Sequence, residues 1–171
     1  MKNKLCLLLI LSSFVLNIHA QKSIRIGIIG LDTSHSVAFT DLINGDKDNA
    51  FAKGFRIVAA YPYGSKTIES SAKRIPGYIK KVEQQGVEIV SSISELLDKV
   101  DCVLLETNDG RLHLEQAIEV FKSGKICYID KPIGSTLGEA IAIFEMAEKY
   151  KASFLEDLLL NNVKADIEIH N

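Results

Sequence analysis

Short, continuous apolar runs alternate five times with amphipathic stretches along this chain, and that rhythm leaves few folds open to it. The runs are Ile24–Ile29, Arg56–Tyr61, Val87–Val90, Asp101–Glu106 and Ile126–Asp130. They are rich in Val, Ile, Leu and Ala and lack the polar–apolar alternation of a strand with one wet face. Strands buried on both faces belong to a parallel sheet covered by helices on each side. Right-handed crossovers then reduce the topologies to a doubly wound, Rossmann-like α/β sheet in a single domain.

The intervening stretches predict helices with readable ends. His35 to Asn44 places Phe39, Leu42 and Ile43 on one face before Gly45. A helix is expected near Pro76 to Gln85. Ser92 and Glu95 have capping-box spacing and open a helix to Lys99. From about Arg111 to Ser123, Leu114, Ala117, Ile118 and Phe121 keep helical spacing, and Gly124 stops the run. Thr136 and Glu139 form a second capping box, ahead of Leu137, Ala140, Ile141, Phe144 and Ala147 on one face.

Residues 1–20 read as a secretory signal peptide: Lys2 and Lys4, an apolar stretch from Leu5 to Leu16, then the small residue Ala20. The apolar core is shorter than the roughly 20 residues of a membrane span. The expectation is an exported protein, periplasmic or extracellular, with no stable span after cleavage; an uncleaved anchor is the alternative. Residues 21–150 then form the domain and 151–171 a short tail, whose Phe154, Leu155, Leu158 and Leu159 suit a final helix turn or strand but not a domain. The whole chain has 20 Lys and Arg against 22 Asp and Glu, so losing Lys2 and Lys4 takes the net charge from −2 to −4. No segment concentrates basic residues, which argues against a nucleic-acid partner. Cys102 and Cys127 lie in predicted strands. Counted back from the strand ends they face opposite sides, so two buried free thiols are expected even in an oxidising compartment.

Ligands of doubly wound sheets bind beyond the carboxyl ends of the strands. After the first strand come Gly30, Leu31, Asp32, Thr33, Ser34 and His35. Tyr61, Pro62, Tyr63, Gly64, Ser65 and Lys66 follow the second; Glu106, Thr107, Asn108, Asp109 and later His113 the fourth; Asp130, Lys131 and Pro132 the fifth. A dinucleotide fingerprint, G-x-G-x-x-G, would begin at Gly30, but Asp32 and His35 occupy its other glycine positions. A carboxylate there repels phosphate. Asp32 or Ser34 would instead suit the cap of the following helix. The motif alone therefore leaves open a dinucleotide turn and a capped turn without cofactor. No acidic residue ends the second strand to hold the ribose of NAD, whereas Ser65 and Lys66 offer donors suited to a 2′-phosphate; Lys66 is otherwise a solvated loop lysine. Lys131 reaches into the crevice or simply pairs with Asp130. Asp32, His35 and His113 are acceptable metal-ligand types but share no tight spacing, and no metal is expected.

The strand IRIGIIG, the segment ETNDGRLHLEQA and above all YIDKPIG resemble the amino-terminal half of the Gfo/Idh/MocA family (glucose–fructose oxidoreductase and inositol dehydrogenase), over about Ser23 to Tyr150. The most specific element is Asp130-Lys131-Pro132, where the family usually has Glu-Lys-Pro. The opening GLDTSHSVAFTDL resembles an exported branch. The resemblance implies an oxidoreductase using NAD or NADP on a small sugar or polyol. It makes Lys131 the catalytic candidate, flanked by Asp130 and Pro132. Gly30, Leu31, Asp32, Thr33, Ser34 and His35 would face the pyrophosphate, and Thr107, Asn108 and His113 the nicotinamide side. Tyr61, Ser65 and Lys66 complete the cofactor candidates. Family enzymes continue into a substrate-binding domain, whereas this chain ends at Asn171. The expectation is thus a truncated member, inactive alone and open to self-association through uncovered apolar surface. A non-catalytic binding module is the alternative.

Overall fold

The computed structural model describes residues 23–45 and 52–156; the signal-peptide segment 1–20 and most of the 151–171 tail lie outside the described residues. Six strands form one parallel sheet: β1 (Ile24–Ile29), β2 (Phe55–Tyr61), β3 (Glu88–Ile89), β4 (Cys102–Leu105), β5 (Ile126–Ile129) and β6 (Phe154–Glu156). Their order is β3-β2-β1-β4-β5-β6. Among the described residues five α-helices connect them: α1 (Ser34–Thr40), α2 (Glu69–Glu83), α3 (Ile93–Lys99), α4 (His113–Lys122) and α5 (Leu137–Tyr150). The strand order reverses between β1 and β4, which opens a crevice above their carboxyl ends.

The sheet has apolar layers on both faces, as continuous apolar strands require. One layer joins Ile29, Val103, Leu105, Cys127 and Ile129 to Leu96 of α3, Phe121 of α4 and Ile143 of α5. The other joins Ile26, Ile28 and Ile57 to Val37 of α1 and Val82 of α2. Cys127 lies in the first layer and Cys102 packs against the second, so the two free thiols leave opposite faces. Among the described residues no helix is long and apolar enough to cross a membrane.

Three elements depart from expectation. Helix α2 begins at Glu69 and runs through Pro76 rather than starting there. Pro76 and Ala72 are both exposed, so the carbonyl freed by the missing N–H meets water. A sixth strand, β6, lies within the residues assigned to the tail. It pairs Phe154 with Cys127, and the Phe154 ring packs 5.7 Å from Phe121 and 5.2 Å from Phe144. Finally, α1 stops at Thr40 and continues as a π-turn, Asp41–Gly45. That turn buries Asn44, whose Nδ2 donates to the Ile57 carbonyl at 2.8 Å and whose Oδ1 accepts from Ile57 N at 3.0 Å. Strand β3 pairs only with Ala59 and Ala60, so the Asn44 amide serves the part of β2 that β3 does not reach.

Candidate functional site

Strand β1 ends in a glycine because no other residue fits. Gly30 has φ +90°, and a Cβ there would lie 2.6 Å from the backbone N and Cα of Thr107. The bend is thus pressed against the segment after β4. Its N–H donates to the Tyr61 carbonyl at 2.8 Å, tying it to β2 as well. Leu31 turns down into the core and is fully buried.

Asp32 is also fully buried, and it joins three loops. Its Oδ2 accepts from Ser65 N at 3.1 Å and its Oδ1 from Asn108 N at 3.0 Å. Arg74 donates to its carbonyl oxygen at 3.2 Å. A Cβ on Gly64 would fall 2.4 Å from Asp32 Cγ, so that loop can close over the carboxylate only as glycine. The expected cap by Asp32 or Ser34 is therefore corrected. The Asp32 carboxylate serves the neighbouring loops, Ser34 is exposed, and the N-cap residue of α1 is Thr33, with no side-chain cap bond. Thr33 Oγ1 is buried and has no hydrogen-bond partner among the described residues.

A polar lattice joins the segments after β2 and β4. Ser65 Oγ donates to Asp109 Oδ2 at 2.7 Å, and Arg111 grips both Asp109 oxygens at 2.7 and 2.6 Å and Thr67 Oγ1 at 2.7 Å. The guanidinium, with Ser65, holds the Asp109 carboxyl well below the usual carboxylate range. Asn108 Nδ2 donates to Ser71 Oγ at 3.0 Å, and Thr107 Oγ1 to Gln116 Oε1 at 2.8 Å. His113 is fully buried with Nε2 2.6 Å from the Thr107 carbonyl oxygen, so it braces this loop from behind. Tyr61 and Tyr63 stack at 5.8 Å, and Lys66 Nζ lies 4.9 Å over the Tyr63 ring. Beside them are two hollows. One, of about 260 Å³, is lined by Tyr61, Tyr63, Ile93, Leu112, Glu115, Gln116 and Glu119; the other, of about 290 Å³, by residues that include Tyr63, Ser65, Lys66, Asp109 and Arg111.

The β5 end supplies the remaining group. Asp130, 2% exposed, places Oδ2 2.7 Å from His35 Nδ1 and Oδ1 3.7 Å from Lys131 Nζ. Lys131 itself is half exposed, and the Lys131–Pro132 peptide is cis. Fully buried Glu106 lies beside this pair. The structure thus gathers the residues after β1, β4 and β5 at one edge. Asp32 and His113 do not join His35 as a ligand set among the described residues; Glu106 and Asp130 do. Arg111 is the site residue that sequence reasoning passed over. Its one signal was its place two residues beyond Asp109 in a loop that follows a strand.

The chain matches the model of the Gfo/Idh/MocA oxidoreductase family, described as an NAD-binding Rossmann fold, over residues 24–157. No curated protein matches it. Its fold is similar to that of the WlbA dehydrogenase from Bordetella pertussis, solved with NADH and UDP-GlcNAcA, at 20% identity and a TM-score of 0.60, over 80% of this chain and 37% of that one. It is similar to the MviM dehydrogenase from Clostridium difficile at 23% identity and a TM-score of 0.60, over 80% of this chain and 40% of that one. A third likeness is to biliverdin reductase from Synechocystis, solved with biliverdin and NADP+, at 19% identity and a TM-score of 0.56, over 78% and 37%. The chain therefore spans at most about two fifths of these proteins' length. With the family model covering all six strands and every strand end described above, this chain belongs to the Gfo/Idh/MocA oxidoreductase family and carries its NAD-binding Rossmann domain.

Proposed function

We propose that the carboxyl edge of this sheet binds NAD or NADP and serves the oxidation or reduction of a sugar or polyol, with Lys131 beside the reacting hydroxyl. One observation carries the reading. The Asp130 carboxylate touches His35, at the start of α1, and Lys131, after β5, so the family's lysine and the glycine bend border one crevice. The fit to a dinucleotide rests on Thr33 and the hollows. The α1 N-terminus has no side-chain cap, and Thr33 Oγ1 is a buried hydroxyl without a partner among the described residues. A phosphate is the kind of group that such donors accept. The hollow beside Tyr61 and Tyr63 offers aromatic rings and Ile93 and Leu112 for an adenosine base, with Glu115 and Glu119 on its polar side. No carboxylate ends β2, and Lys66 over Tyr63 is the cation that would meet a 2′-phosphate.

A bound nicotinamide would supply hydride transfer. The chain's own residues would supply orientation and proton handling. The Lys131 ammonium would donate a hydrogen bond to the substrate oxygen, and Asp130 would hold that ammonium in place while keeping His35 turned toward it. Turnover is assigned to this domain together with a substrate-binding part. That the substrate is a sugar derivative draws support from the relative solved with a UDP-sugar. We further propose that the domain works after export. An N-terminus at Gln21 in protein recovered outside the cytoplasm would support that, and Met1 retained on cytoplasmic protein would overturn it.

The test is a titration of the full chain with NADH and NADPH, followed by nicotinamide fluorescence. Saturable binding is expected, with Lys66→Glu weakening NADPH more than NADH. No saturation at about 1 mM of either cofactor, where binding is worth only about 4 kcal/mol, would leave a non-catalytic binding module.

A further inference from the structure

The ends of three adjacent strands in the sheet hold a group of side chains that the dinucleotide reading does not use as a set. His35 opens α1, Glu106 follows β4 and Asp130 follows β5. One potential ligand atom from each lies within 4.8 Å of the other two. We infer that this group is a binding site for one divalent transition ion of the Zn2+ or Mn2+ type, held by an imidazole nitrogen and two carboxylate oxygens.

The electrostatics favour a cation there. Glu106 is fully buried and Asp130 is 2% exposed, so two carboxylates sit side by side with little solvent to separate their charges. Asp130 Oδ1 is buried and accepts no hydrogen bond among the described residues. The ammonium of Lys131 stands 3.7 Å from it on a side chain that is half exposed. That ion pair has a half-exposed partner, whereas Glu106 is fully buried. His35 is 42% exposed at its side chain, so it closes the solvent side of the group without sealing it.

The donor set narrows the ion. Imidazole with carboxylates suits Zn2+ and Mn2+, whereas Mg2+ and Ca2+ prefer oxygen alone. The thiols take no part, since Cys102 and Cys127 belong to the strands below and face opposite layers. Three protein ligands leave a coordination position open, the arrangement in which a metal also takes water or a substrate oxygen. The site shares only His35 with the pyrophosphate turn, because Asp32 and Thr33 contribute nothing to it.

The experiment is a calorimetric titration of the chelator-treated full chain with ZnCl2 and with MnCl2, in the absence of any nicotinamide cofactor. One saturable equivalent of at least one ion is expected, with a rise in melting temperature. His35→Ala, at a partly exposed position that folding tolerates, should weaken binding about tenfold or more, and so should Glu106→Gln. Should Glu106→Gln fail to fold, His35→Ala carries the test alone. No saturable binding of either ion, or binding that His35→Ala leaves unchanged, would overturn the assignment. Titrating NADH into the same protein in chelator reads the cofactor proposal separately, so either can fail alone.

Discussion

Asp32 stands where a dinucleotide fingerprint has its second glycine, and its neighbours explain how a carboxylate can live there. The amides of Ser65 and Asn108 donate hydrogen bonds to it from two sides, and Gly64 gives it room. Asp32→Asn keeps the volume but points an NH2 at one of those amides. The expected loss is about 1–3 kcal/mol, read from urea unfolding, because a buried donor is left unmatched. Gly64→Ala forces a methyl into the same carboxylate, and its cost should shrink in an Asp32→Ala background; additive losses would disprove that contact. Asp109 shows a second carboxylate at work. Its native pKa lies below the ordinary 3.8, first through its bonds to Arg111. A depressed native pKa adds stability above the unfolded pKa and loses it as pH falls toward the native one. Wild type should therefore outlast Asp109→Asn in urea at pH 7, and the gap should close as the pH is lowered below about 4. A gap unchanged by acid would show that the Arg111 pair is not its source.

At the scale of elements, strand and helix cores were legible wherever one pattern ran long enough. β1 matches the apolar run Ile24–Ile29, and α5 begins at the Thr136–Glu139 box, both of whose bonds form. The Ser92 box is only half made: Ser92 Oγ accepts from Glu95 N, but the Glu95 carboxylate turns to Ser91. For β6 the sequence leaves a helix turn and a strand both open, because three residues carry no periodicity; its place comes from Phe154 packing against Phe121 and Phe144. The site was legible only in part for a similar reason. Lys131 could be placed from a tripeptide, and Glu106 and Asp130 could be set level as ends of neighbouring strands, but nothing in the sequence says that His35 comes to meet them. Asn44 is a case of the same kind, a loop-end polar residue by sequence and a sheet component in the fold. Asn44→Leu leaves both backbone groups of Ile57 without their partner. An expected loss of about 2–4 kcal/mol follows, together with faster amide exchange at Ile57 than at Ala59, whose strand pairing is untouched.

For the whole molecule, the sheet acts as a wall between two cores, and the cysteines report on it. Cys102 aligns with Ile126 and Val103 with Cys127, so the two thiols sit on neighbouring strands one register step apart. Neighbours that close invite a disulfide on strand adjacency alone. The pleat forbids it, because adjacent register positions send their side chains through opposite faces, whereas a disulfide needs Cβ atoms about 3.5–4.5 Å apart on the same side. Burial also pushes the Cys127 thiol well above its ordinary pKa of 9.0, which suppresses the thiolate that oxidation and alkylation require. A protein passing from a reducing to an oxidising compartment would thus keep the same covalent structure in this domain. Held under air or with oxidised glutathione, the folded chain should show no Cys102–Cys127 cross-link by mass spectrometry of unreduced peptides. Its melting temperature should not move with dithiothreitol. A thiol reagent should label Cys127 only as fast as the domain unfolds, since no local opening exposes a residue at the centre of one core. Labelling of Cys127 that outruns global unfolding would mean that the layer under α4 and α5 opens on its own, and the two faces of the sheet would then be separate cooperative units.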